Sequence, residues 1–259
     1  MTTLSVRGIA AQHLARSGDL SINSDIFGYP HRDDDGLLFG ALDGDAVLPF
    51  VGTAAIPTKR SLKRHLETVS GPSIDLVLFL VGHEPGFTGD VTPAQAAKLQ
   101  YAVQVARDIW QQRDFGIRRL EWGTITPEQA GNLTNISTIF EALLLTIEFS
   151  GRPGAIDLFA VQTMGALVGR SPKNGPCSKD SLFAMSGCVL ELAEDPQFTG
   201  IGVAHEIGHY LGLGHESDEN NVMHGPTVIF GKCNTGPQMV ELTSAQADVM
   251  KSHCMVVQA

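Results

Sequence analysis

Strand-like and helix-like segments that alternate over residues 73–259 predict an α/β (α+β) domain. Three observations carry that expectation. Ile74–Val81 is a short run of mostly branched apolar residues, the pattern of a buried strand. Thr92-Pro93 then opens a helix, with Thr92 as N-cap and Pro93 in the first helical position. Ala97, Leu99, Val103, Ala106 and Ile109 recur along it and turn one apolar face to a sheet. Ile117–Ile125 alternates apolar and polar residues, as a half-buried strand does.

The later elements follow in the same manner. A second helix is expected over Ser137–Phe149 and a third strand over Ala155–Val161. A Gly/Pro-rich loop, Gly169–Ser181, leads to a fourth strand at about Phe183–Leu192. A helix begins near Thr199. Such alternation implies a largely parallel sheet with right-handed crossovers. Residues 1–72 read differently. Short apolar stretches alternate there with Gly and Asp, as in Gly36–Asp45, so a small strand-rich N-terminal region is expected, a pro- or accessory segment.

Composition narrows the function classes. Of the 259 residues, 43% are hydrophobic and 18% charged, the balance of a globular chain with a sizeable core. A net charge of −10 argues against nucleic acid and anionic membrane as partners, since both select a cationic surface. No apolar run reaches the roughly 18 residues of a membrane span. Met1–Leu20 has no apolar signal-peptide core. Cys177, Cys188, Cys233 and Cys254 lack the C-x-x-C spacing of a structural zinc pair. Two disulfides, which would suit an extracellular enzyme, and four buried thiols are equally open readings.

The chemistry concentrates in one segment. His205 and His209 stand four residues apart, which puts both imidazoles on one helix face, one turn apart. Glu206 is rotated about 100° from His205, outside a shared cation's ligand shell but within reach of a water on it. Gly212 and Gly214 allow the helix to end and the chain to turn, so that His215 returns to the same cation. Three imidazoles leave a fourth tetrahedral position for water, whose pKa zinc lowers towards about 7.

The run His205-Glu206-Ile207-Gly208-His209-Tyr210-Leu211-Gly212-Leu213-Gly214-His215 (HExxHxxGxxH) resembles the zinc signature of the metzincin clan of endopeptidases. Asn221-Val222-Met223-His224 resembles that clan's Met-turn, with Met223 an apolar floor beneath the imidazoles. The resemblance covers roughly residues 73–259. Gly175–Asp180 and Ser186–Val189 look like bacterial metzincins. Leu242-Thr243-Ser244-Ala245-Gln246, with Thr243 as N-cap, is partly matrixin-like. The resemblance implies a twisted mixed sheet with an antiparallel edge strand, packed by helices that include the active-site helix. It implies one catalytic Zn2+ on His205, His209 and His215, with Glu206 as general base and Gly212 and Met223 as structural support.

It also implies a peptide or protein substrate, paired by its main chain to an edge strand. That strand is expected at Ser186–Leu192, with Gly187, Cys188 and Val189 along the substrate. Pro226, within Gly225–Phe230, is expected at the floor of the primed-side pocket. Asp218, Glu219 and Asn220 carry oxygen donors of the kind Ca2+ takes, although a solvated loop is the preferred reading. Glu216 is similar to the residue astacins carry after the third histidine. Gly225, however, replaces their tyrosine two positions after the methionine, which leaves Tyr210 and His224 as the nearby alternatives. With no cysteine before Cys177, a cysteine switch in the N-terminal region is excluded. Asp33, Asp34, Asp35, Asp43 and Asp45 are read as turn residues rather than as an aspartate switch. The alternative to an endopeptidase is a zinc-bound peptide-recognition module with little turnover. The intact Glu206 argues against it.

Overall fold

The computed structural model describes residues 71–82, 93–165, 167–180, 184–193, 196–225 and 240–258. Their elements run β1 (Ser73–Val81), α1 (Pro93–Gln111), β2 (Gly116–Ile125), α2 (Pro127–Ala130), α3 (Ile139–Glu148), β3 (Ile156–Val161), β4 (Gly169–Arg170), β5 (Gly187–Glu191), α4 (Pro196–Tyr210) and α5 (Ser244–Lys251). The strand-rich region expected over residues 1–72 lies outside them apart from Gly71 and Pro72. So do the aspartates it contains, Thr92, Pro226 and Cys233. Among the described residues, no helix is long and apolar enough to cross a membrane.

Every residue of β1 is buried, because the strand lies inside the sheet and both faces of the sheet are covered. Ile74, Leu76, Leu78 and Leu80 join one core with residues of α1, α4 and α5. Val77, Phe79 and Val81 face the other way, into a second core with Ala142 and Leu145 of α3. Three layers result, helices on each side of one sheet. Capping boxes start three of the described helices, Thr126 with Gln129 for α2, Thr138 with Glu141 for α3 and Thr243 with Gln246 for α5. The last of these is the N-cap expected from the sequence.

Among the described residues the sheet has five strands in the order β2-β1-β3-β5-β4. β4 is antiparallel to β5, and the other pairings are parallel. The mixed sheet with an antiparallel edge strand is therefore present, but the edge is Gly169–Arg170 and not Ser186–Leu192. β5 pairs with β3 from Gly187 to Glu191 and with β4 at Val189 and Leu190. Gly187, Cys188 and Val189 are buried, and Val189 is paired on both sides, to Phe159 of β3 and Arg170 of β4. The apolar pattern of β5 reflects burial on both faces of the sheet, as in an inner strand.

One charged cluster ties the beginning of the sheet together. Asp75 of β1 is almost fully buried and accepts from Arg118 Nε and Nη2, both at 2.8 Å, and from Arg152 Nη2 at 2.7 Å. Burial alone would raise the Asp75 pKa, but the hydrogen bonds and charges of Arg118 and Arg152 outweigh it and hold the carboxyl below its ordinary 3.8. Asp75→Asn is expected to cost about 1–3 kcal/mol in urea unfolding at neutral pH. The wild-type advantage is complete above the ordinary aspartate range and is lost as pH falls through the lowered folded value. Unfolding curves of the two proteins should therefore converge in strong acid, and a gap that widens there would refute the assignment.

Candidate metal centre

The histidines converge because α4 stops where it does. Leu213 N donates to Gly208 O and Gly212 N to His209 O, each at 2.9 Å, which is the Schellman arrangement of a helix end. It needs a left-handed residue after the last turn, and Gly212 supplies it with φ +105°. The chain then reverses. Glu216 N donates to Met223 O at 2.8 Å, so the residue after His215 is fastened to the methionine turn.

The three imidazoles meet. One nitrogen from each of His205, His209 and His215 lies within 4.8 Å of the others. His205 Nδ1 is 2.7 Å from the Val222 carbonyl oxygen and His209 Nδ1 is 2.9 Å from that of Leu213. A carbonyl only accepts, so each Nδ1 carries the proton and each neutral ring keeps its lone pair on Nε2. His209 Nε2 and His215 Nε2 stand 3.0 Å apart. Zinc–nitrogen bonds of about 2.0–2.1 Å at the tetrahedral angle span about 3.3 Å, so the donor set fits zinc with small adjustment. Burial, helped by neighbouring His209, pushes the His205 pKa down to about 4. Burial also lowers those of His209 and His215, so the rings are neutral ligands near neutral pH.

Glu206 leaves the histidine face of α4 and points at the edge strand. Its Oε2 accepts from Ser171 Oγ at 2.6 Å. Burial pushes its carboxyl up to about 7, against the hydroxyl of Ser171 and the charge of Arg170. Ser171 carries no sequence signal of its own, since it lies in the loop expected over Gly169–Ser181.

Met223 is fully buried, with its sulfur packed against Gly208, the neighbour of His209. Its turn is braced by a reciprocal amide pair. Asn221 Nδ2 donates to Gln246 Oε1 at 2.9 Å, and Gln246 Nε2 donates to Asn221 Oδ1 at 3.0 Å. Asn221 Oδ1 also accepts from Met223 N at 2.8 Å. Tyr210 does not reach the histidines, because its buried hydroxyl donates to Pro176 O at 2.8 Å. His224 lies in the methionine turn but is not among the three grouped histidines. Asp218 serves its own turn, accepting from Asn220 N at 3.0 Å, in an exposed loop.

The loop after β4 is fastened beside the site. Asn174 N donates to His209 O at 2.9 Å and Gly175 N to Tyr210 O at 2.7 Å. His253 Nε2 lies 3.1 Å from Gly175 O. Cys177 and Cys254 form a disulfide, and Lys179 Nζ meets the buried Asp157 Oδ1 at 2.6 Å. Cys188 is a free, buried thiol that donates to Glu206 O at 3.6 Å. The two open readings of the cysteines thus each hold for part of the set.

No family model and no curated protein matches this chain. Among solved structures, it is similar to an archaemetzincin from Methanopyrus kandleri, at 15% identity and a TM-score of 0.43, over 70% of this chain and 95% of that one. So distant a likeness leaves the chemistry to be read from the side chains of this chain alone.

The disulfide closes a separation of 77 residues. Replacing Cys177 and Cys254 together by serine is expected to lower stability by about 2–4 kcal/mol in chemical denaturation. An unchanged midpoint would show that the loop is held without it.

Proposed function

We propose that this chain is a zinc-dependent endopeptidase acting on peptide or protein substrates. One observation carries the reading: three imidazole nitrogens converge beside a buried carboxylate from the same helical turn. His205, His209 and His215 would hold the metal, and neutral imidazoles suit zinc. Zinc bound there would supply Lewis-acid chemistry at a peptide carbonyl.

The remaining work falls to the chain's own groups. The Val222 and Leu213 carbonyls fix the rings so that Nε2 of His205 and of His209 faces the cation. Glu206 is the general base: a carboxylate oxygen takes a proton from the attacking water and returns it to the departing amine nitrogen. Gly212 ends the helix so that His215 can join, and Met223 fills the space beneath the rings. The substrate's main chain would lie near β4, the antiparallel edge on which Glu206 rests.

Glu206→Gln keeps the shape but removes the base. Zinc should remain at one ion per chain by native mass spectrometry, while cleavage of a casein-like substrate falls about 10²–10⁴-fold. Undiminished cleavage would sink the reading. Chelation is a second check. Removing the metal should abolish cleavage and lower the melting temperature, because a ligand of the folded state alone stabilises it, and added zinc should restore both. His209→Ala should show neither loss on chelation, having no zinc to lose.

A further inference from the structure

A buried carboxylate that moves protons must be held, and Glu206 is held from the edge strand. Ser171 Oγ donates to Glu206 Oε2 at 2.6 Å, which leaves Oε1 outside that bond. On the other side stands Gly169. A Cβ there would come within 2.6 Å of Glu206 Cδ, so the carboxylate occupies room that exists because residue 169 has no side chain. Two neighbouring positions thus confine the group, Gly169 of β4 by leaving space and Ser171, just after the strand, by filling one lone pair.

The segment that presents Ser171 is itself anchored on both flanks. Upstream, Arg170 pairs with Val189, and Glu191 N donates to Val168 O at 2.8 Å. Downstream, Asn174 and Gly175 bond the end of α4, Cys177 is bridged to Cys254, and Lys179 meets Asp157. The end of α4 that carries His209 and the loop start that carries Ser171 are therefore fastened into one frame. A donor in such a frame costs no reorganisation during the reaction.

We propose that Ser171 is a positioning residue for Glu206, its hydroxyl holding the carboxylate in the orientation in which it works as the base, with Gly169 providing the space. This rests on the assignment of Glu206 as the base. A merely structural serine would affect stability without a selective effect on turnover.

The test uses the full-length, zinc-loaded protein and a peptide substrate. Glu206→Gln comes first: if it cleaves like wild type, the base assignment fails, whatever Ser171 does. If it is inactive, Ser171→Ala is expected to lower kcat about 10- to 100-fold, as loss of a hydrogen bond to a charged group would, with KM and zinc stoichiometry unchanged. Ser171→Thr, which keeps the hydroxyl, should recover most of the loss. In the metal-free protein, melting temperatures of Ser171→Ala, Glu206→Gln and the double variant should be non-additive, because the two groups share one bond. Should Ser171→Ala not fold, Ser171→Cys offers the same shape with a weak donor and should show the same fall in kcat. Wild-type kcat in the Ala or Cys variant, an equal loss in the Thr variant, or an additive thermal cycle would each overturn the proposal.

Discussion

The hydrogen bond between His205 Nδ1 and the Val222 carbonyl, at 2.7 Å, is the contact on which the site depends. An imidazole can present either nitrogen, and a ring free to flip would make a poor ligand. The carbonyl selects the tautomer and fixes the ring plane in one contact. Its own position is inherited from further away. Val222 sits in a turn pinned by Asn221, which is locked to Gln246, and Gln246 also closes the capping box of α5. A C-terminal helix with no side chain in the histidine group therefore sets the angle of a ring within it.

The second ring follows the same logic with a different source. The Leu213 carbonyl that orients His209 becomes available only because Gly212 has ended α4. The main chain thus does the orienting in both cases, and main-chain carbonyls are harder to lose by substitution than side-chain acceptors. The opposite wall of the site is stiffened differently, by a disulfide and a buried ion pair. Asp157 and Lys179 are both taken out of water, and burial pulls the aspartate up and the lysine down while each opposes the shift in its partner. Such a pair adds little net stability, but removing one partner strands a charge in the interior.

Much of this was legible in the sequence where a local pattern carries the information. Ile74–Val81 reads as a buried strand because only a covered parallel strand needs apolar residues on both faces. The histidine segment is legible because helical geometry fixes the relation of His205 to His209, and Gly212 marks the end. β4 was not legible. Two residues, Gly169 and Arg170, hold no periodicity, and they are a strand only because β5 offers them a partner. The same blind spot placed the edge of the sheet on β5, whose apolar residues mark the interior. Ser171 and the Asn221–Gln246 pair are equally silent, since their meaning lies in contacts across 35 and 25 residues.

The two borders of the sheet differ in a way that bears on association between molecules. Among the described residues β2 is the long border, and an open strand edge of that length is of the kind that invites a strand from another chain. Arg118 and Arg119 stand on it side by side, each about half exposed at 51% and 52%, while their buried carboxylate partners sit behind them. A foreign strand pairing there would have to strip water from these charged side chains, which disfavours the approach. Among the described residues the other border, β4, is only two residues long and exposes far less edge. Charge on the longer border therefore makes it costly for a second copy to extend the sheet there.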